Sequence, residues 1–182
     1  MFAILFSSTK YMRLTKKRKR GTLVAMKTEK KTGKREIKVW EIIKGIGYNP
    51  QEHKNIVVSY ALKNLSAKVA GFFTNQFYVL SICENELVLI PYGEMTWSLK
   101  KEVALEVPFD SIKSVTVKED GFNYMINIET SEDNIELTTQ QKELSNVRMS
   151  GALSYNSIWG ASWNWHQENL DETLESLQHL GE

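Results

Sequence analysis

Hydrophobic and polar side chains alternate along residues 103–139. The alternating segments are Val103–Phe109, Val115–Val117, Phe122–Ile128 and Ile135–Leu137. Successive side chains on a β-strand point to opposite faces, so a period of two indicates strands with one buried and one solvated face. Asp120-Gly121 and the polar run 131–134 separate these segments and are typical of tight turns. The pattern predicts three or four short antiparallel strands.

Two continuous apolar runs precede the alternating region. They are Phe77–Cys83 and Leu87–Tyr92, and the polar residues Glu84, Asn85 and Glu86 separate them. A strand that is apolar on both sides is typical of a sheet covered on both faces. We therefore expect a hairpin over residues 77–92, with a helix packed against one of its faces.

A helix is predicted over Arg35–Ile46, where apolar residues recur at spacings of three and four. Asn49-Pro50 then favours the start of a second helix, because proline is preferred at the first helical position. We expect residues 35–71 to form a helical segment that packs on the sheet. A strand through Ile56–Val58 is the alternative, and periodicity does not decide between them. Two helices joined by a glycine-containing turn also suggest a helix-turn-helix, although ordinary packing helices are far commoner.

The C-terminal segment carries the clearest helical pattern. Its apolar face consists of Trp163, Leu170, Leu174 and Leu177, and acidic residues lie off that face. Ser162 is the expected N-cap, since a serine side chain can accept a bond from the first helical N–H groups. The pattern predicts an amphipathic helix that buries a stripe of leucines.

Three tryptophans, Trp159, Trp163 and Trp165, lie within seven positions of one another. One helical face cannot bury all three. Tryptophan is enriched at the energetic centres of protein interfaces, so Trp159 and Trp165 are candidate contacts for a protein partner. Packing in the core is the alternative and the commoner role of such side chains.

The charge of the chain is unevenly distributed. Residues 1–38 hold 13 Lys/Arg and 2 Asp/Glu, a net charge of +11, whereas residues 72–182 hold 6 Lys/Arg and 18 Asp/Glu, a net charge of −12. Few apolar residues accompany the basic ones, so residues 1–34 are expected to be a disordered basic arm. Such an arm can attach to a nucleic acid or to an anionic membrane surface. The candidate contact residues are Lys16, Lys17, Arg18, Lys19, Arg20, Lys30 and Lys31.

Two other interpretations of the basic residues stay open. The arm can be a solvated tail without a partner, or the chain can start at Met12 or Met26 instead of Met1.

No catalytic or metal-binding constellation is visible in the sequence. The three histidines (His53, His166 and His179) and Cys83 are dispersed and lack the spacings of zinc sites. A Gly-rich phosphate loop and a Gly-x-Ser-x-Gly nucleophile elbow are also missing. We therefore expect no catalytic residue, no metal and no cofactor, and hence no enzymatic activity. A single cysteine suits a reducing compartment, and the expected location is the cytoplasm.

The order of these parts resembles the bacterial pleckstrin-homology-like domain of the PH/GRAM type. The matching pieces are the hairpin Phe77–Ile90, the segments Val107–Ile112 and Lys113–Val117, the strands Phe122–Thr130 and Ile135–Thr139, and the helix Trp163–Leu180. The resemblance covers residues 72–182 and implies an α+β, mostly β domain. Its bent antiparallel sheet, close to a barrel, would be plugged at one open end by the C-terminal amphipathic helix and preceded by the N-terminal helical segment. Trp163 or Trp165 would be the helix tryptophan that packs on the core in this family.

The best-known activity of that family is not expected here. Phosphoinositide-binding members place Lys and Arg in and beside the first hairpin loop, where they hold phosphates. In this chain the loop is Glu84-Asn85-Glu86, and its carboxylates would repel a phosphorylated headgroup.

The sequence therefore predicts a non-enzymatic protein-interaction or scaffolding module, whose partner is another protein or a second copy of the chain. The alternative is attachment to a polyanion through residues 16–35. A small apolar ligand inside the barrel is a third hypothesis, although side chains usually fill so small a barrel. No small-molecule substrate is expected.

Overall fold

The computed structural model describes residues 32–61, 76–93, 98–158 and 161–181. The helices are α1 (Lys34–Gly45), α2 (Met149–Ser154) and α3 (Trp165–Gln178). The strands are β1 (Pro50–Tyr60), β2 (Tyr78–Cys83), β3 (Glu86–Pro91), β4 (Leu105–Pro108), β5 (Ile112–Asp120), β6 (Asn123–Thr130), β7 (Asn134–Gln140), β8 (Tyr155–Ile158) and β9 (Ala161–Asn164). The α+β, mostly β class expected from the sequence is confirmed, with a helix before the sheet and another after it.

Strands β1 to β7 form one antiparallel sheet in the order β4-β3-β2-β1-β7-β6-β5. Its two edges, β4 and β5, are consecutive in the chain and are joined only by the 3₁₀ turn Phe109–Ser111. A flat sheet of seven strands would separate its edges by about 29 Å. Three linking residues reach only about 14 Å. The sheet must therefore curl until its edges approach each other, although β4 and β5 do not pair and the barrel stays open.

The inner face of the curled sheet holds the larger hydrophobic core. All seven strands contribute to it, with residues such as Ile56, Leu80 and Ile128 fully buried. Helix α3 closes this core through Leu170, Leu174 and Leu177. The predicted burial of these leucines against the sheet is confirmed.

The outer face of β1, β2 and β3 is covered as well. Val39, Trp40 and Ile43 of α1 form a second core there, together with Val88 of β3 and Trp165 of α3. Strand β2 is buried at all six positions. The continuous apolar runs are thus explained by cover on both faces, and the prediction of a helix against this hairpin is confirmed.

The predicted second helix is wrong. Residues Pro50–Tyr60 form strand β1, the central strand, which pairs with β2 on one side and β7 on the other. Ile56, Val57 and Val58 are β-branched and buried in succession, a run that fits a doubly covered strand as well as a helix. The boundary between residues 71 and 72 is wrong too, because β1 belongs to the same sheet as the later strands. A helix-turn-helix is excluded, since a strand follows α1.

The C-terminal helix begins later than predicted. Trp163 lies in β9, and α3 starts at Trp165. The N-cap is Asn164 rather than Ser162, because the Asn164 side chain accepts a hydrogen bond from the backbone N–H of Gln167 at 3.2 Å. An asparagine cap satisfies one of the donors that a helix leaves open at its N-terminus.

Candidate functional site

Among the residues that the structure describes, no group of three or more His, Cys, Asp and Glu could hold a metal ion. Cys83 is buried, and this burial raises the pKa of its thiol to about 12. A thiol of that kind is protonated at neutral pH and is a poor nucleophile.

His166 has a structural role. Its Nδ1 accepts a hydrogen bond from the backbone N–H of Val57 at 3.1 Å, and its Nε2–H donates to the carbonyl of Gln140 at 3.1 Å. Strands β1 and β7 pair up to Val58 opposite Thr139, so Val57 and Gln140 would form the next pair. The imidazole stands between them and satisfies both backbone groups. Burial lowers the pKa of His166 to about 4, which keeps the ring neutral.

A buried polar cluster fastens α1 to the rest of the fold. Glu36 is 1% exposed, and its Oε1 accepts a hydrogen bond from Asn169 Nδ2 at 2.7 Å. The same oxygen lies 3.2 Å from His53 Nδ1. His53 has a φ of 59°, in the left-handed region. It lies in the part of β1 at which the pairing with β2 is interrupted. A buried carboxylate must be hydrogen-bonded, so this cluster holds α1, β1 and α3 together.

Two adjoining grooves lie beside α2. The first, here called the α1 groove, has a volume of about 580 Å³. It is lined by Arg35, Lys38, Val39, Ile42, Tyr92, Ser98, Leu99, Met149, Ala152, Leu153 and Trp165. The second, the α2 groove, has a volume of about 470 Å³. It is lined by Arg35, Asn146, Val147, Arg148, Met149, Gly151, Ala152 and Tyr155.

Buried polar residues position α2 between these grooves. Ser150 Oγ donates to Gln140 Oε1 at 2.6 Å, and Ser154 Oγ donates to Asn164 Oδ1. Asn164 Nδ2 in turn donates to Ser145 Oγ at 3.1 Å. These bonds order the segment 140–156, which has no periodic pattern of its own, because they satisfy buried groups that would otherwise be costly.

Large hydrophobic side chains are exposed around the α2 groove. Val147 is 82% exposed, Phe122 69% and Tyr155 42%. Arg148 links two of them, since it follows Val147 and its Nη1 donates to the carbonyl of Phe122 at 3.5 Å. We call the surface formed by Arg35, Lys38, Phe122, Val147, Arg148 and Tyr155 the basic–apolar face.

The charge of this face is opposite to that of the domain. The described residues that line the two grooves include Arg35, Lys38 and Arg148 but no Asp or Glu. Carboxylates gather elsewhere, as at Glu86, whose pKa is raised by burial and by its neighbours, first among them Glu106. The same cluster raises the pKa of Tyr48 to about 12, chiefly through the hydrogen bond of its hydroxyl to Glu106 at 2.6 Å.

Of the residues predicted from the sequence as contacts, the structure describes only Trp165. Lys16, Lys17, Arg18, Lys19, Arg20, Lys30, Lys31 and Trp159 lie outside the described residues. Trp165 is only 1% exposed, so it is a core residue and cannot be a surface contact. It packs against α1 and forms part of the wall of the α1 groove.

Sequence patterns gave little sign of the basic–apolar face. Phe122 continues the alternation of β6, a pattern that predicts a strand residue, whereas it lies in the turn made by Gly121 at φ +60°. Val147 lies in an irregular segment whose fold depends on side-chain hydrogen bonds.

No helix among the described residues is long and apolar enough to cross a membrane. Comparison of the chain with protein-family models, curated proteins and solved structures gives no match.

Proposed function

We propose that this protein is a non-enzymatic interaction module that docks another protein on its basic–apolar face. The observation that carries the proposal is the exposure of Val147 beside Arg148 in a groove whose described lining residues include no carboxylate. Exposed Phe122 adjoins this groove, because its backbone carbonyl accepts the hydrogen bond from Arg148. The order of the seven strands and the C-terminal leucine plug support a pleckstrin-homology-like scaffold for this module.

Burial of the exposed apolar side chains supplies the driving force for docking. Each large apolar side chain that moves from water into an interface contributes about 1.5–3 kcal/mol. Clustered exposed hydrophobic residues of this kind mark interaction surfaces, whereas single ones are ordinary. The concave shape of the two grooves favours a partner that inserts side chains.

The charges of the face define the partner. Arg35, Lys38 and Arg148 favour a partner segment that combines apolar side chains with Asp or Glu. Complementary charge steers association and suppresses unsuitable partners. Residues 72–182 are themselves acidic, so a second copy of the chain also has suitable charge.

Site-specific photo-cross-linking tests the proposal. A photoreactive phenylalanine analogue replaces Val147 on the face, or Thr116 at an exposed position of β5 as a matched control. We expect a discrete cross-linked species from position 147, its loss when Arg148→Glu is added, and no such species from position 116. Mass spectrometry then distinguishes a second copy from another protein. Identical products from both positions, or no product from position 147, would contradict the proposal.

Attachment to a polyanion is the second candidate function, and the exposed cations of α1 favour it. Lys34, Arg35, Lys38 and Lys44 are exposed and extend the basic segment 16–35 onto the folded domain. The test replaces the five basic residues 16–20 by glutamine and measures binding to duplex DNA and to anionic vesicles. The affinity of the wild type should fall steeply as the salt concentration rises, because binding to a polyanion releases counterions. The affinity of the variant should be lower. Binding that is unaffected by salt and by the glutamine substitutions rules this function out.

A further inference from the structure

The α1 groove has the size and composition of a small-molecule site. Its volume of about 580 Å³ lies within the range of roughly 300–1,000 Å³ that is usual for such sites. Ile42 and Leu99 are half-buried in its walls, and Leu153 and Trp165 are buried behind them. An apolar body placed there would be removed from water on several sides.

Two cations complete the groove. Arg35 and Lys38 lie one helical turn apart on α1, and both line the groove, whereas none of its described lining residues is acidic. Both side chains are exposed, so they stand where the groove opens to water. This arrangement favours an anionic group at the mouth and an apolar group inside.

We propose that the α1 groove binds a small amphiphilic anion, in which one carboxylate or a similar anionic group is attached to an apolar body. The apolar body packs against Ile42, Leu99 and Leu153, and the anionic group lies near Arg35 and Lys38. The proposal shares Arg35 and Lys38 with the basic–apolar face, but it does not require a protein to dock there, because its apolar contacts are the walls of the groove and not exposed Val147 or Phe122.

Calorimetric titration of the full chain below the micelle concentration tests this site with four probes. They are decanoate, decanol with the same body and no charge, decylammonium with the opposite charge, and acetate with no apolar body. We expect one decanoate per chain, about tenfold weaker binding of decanol, and no measurable binding of decylammonium or acetate. Equal binding of decanoate, decanol and decylammonium would overturn the proposal, as would binding to anionic phospholipid vesicles without binding of decanoate.

Variants locate the site. Ile42→Trp fills the groove from a half-buried position outside the core cluster and should abolish decanoate binding while the melting temperature is retained. Arg35→Gln should weaken decanoate binding about fivefold. Lys44→Gln removes a cation of α1 that does not line the groove and should leave binding unchanged. Val147→Glu should also leave it unchanged, so failure of this site is distinguishable from failure of the docking face. Undiminished binding by both Ile42→Trp and Arg35→Gln places the ligand elsewhere and overturns the proposal.

Discussion

Protonation of His166 should make the stability of this fold depend on pH between about 6.5 and 4. Burial lowers the pKa of His166 to about 4 in the folded chain, from an ordinary value of 6.5. The unfolded chain therefore takes up this proton as the pH falls below 6.5, while the folded chain stays neutral down to about pH 4. The stability contribution is fully present above pH 6.5 and is lost as the pH falls through the folded pKa.

The size of the effect follows from that difference in pKa. A difference of about 2.5 pKa units corresponds to about 3 kcal/mol, of which about 2 kcal/mol is lost between pH 7 and pH 5. Burial is the cause, and the hydrogen bond to the carbonyl of Gln140 opposes it by raising the pKa. A protonated ring would lose the acceptor for Val57 and would bring a charge into the core.

Urea unfolding of the wild type and of His166→Gln at pH 7 and pH 5 measures this contribution. The wild type should lose about 2 kcal/mol more than the variant over this interval, since carboxylates and other histidines contribute equally to both. His179→Gln, at an exposed position, is the matched control and should behave as the wild type. If His166→Gln unfolds too readily to compare, NMR of the wild type should show a His166 ring that does not titrate between pH 7 and pH 5. A ring that titrates near pH 6.5 would refute the reasoning.

Three further predictions test the packing. Leu170→Ala should lower the free energy of unfolding in urea by about 2–5 kcal/mol, because the shortened side chain leaves a cavity in the inner core. A decrease below about 1 kcal/mol would mean that α3 does not close the sheet. Gly151→Ala should destabilise the fold, since the added Cβ would collide with the Ser145 backbone, whereas Gly45→Ala meets no neighbouring atom and should be neutral or stabilising in thermal denaturation. Cys83 should react with a thiol reagent only after denaturation, because it is buried with a raised pKa; rapid reaction of the native chain would contradict that burial.

The sequence predicted those elements whose periodicity has one interpretation. Alternation over residues 103–139 indicated β6 and β7, because each strand has one buried and one more exposed face. The spacing of the leucines in α3 indicated the helix that closes the inner core. Strand β1 could not be distinguished from a helix, since four consecutive residues, 55–58, are buried on a doubly covered strand. Its place at the centre of the sheet depends on pairing with β2 and β7, and no local pattern reports such pairing.

The proposed binding surfaces were less predictable than the fold. The α1 groove takes its walls from Ile42, Leu99, Leu153 and Trp165, which are distant in the chain and come together only in the folded domain. The net negative charge of residues 72–182 also concealed the positive charge of the basic–apolar face. Two of the cations of that face, Arg35 and Lys38, belong to α1 and lie outside this range. The surplus tryptophans suggested a surface contact, whereas the packing of Trp165 against α1 places it inside.

Comparison of the cross-linking positions 147 and 116 tests most directly the central claim, that the basic–apolar face is where this protein binds a partner. The account predicts one discrete product at position 147, lost on charge reversal at Arg148, and none at position 116. A product at position 116 that Arg148→Glu does not affect, together with none at position 147, would place the binding surface on β5 and contradict the account.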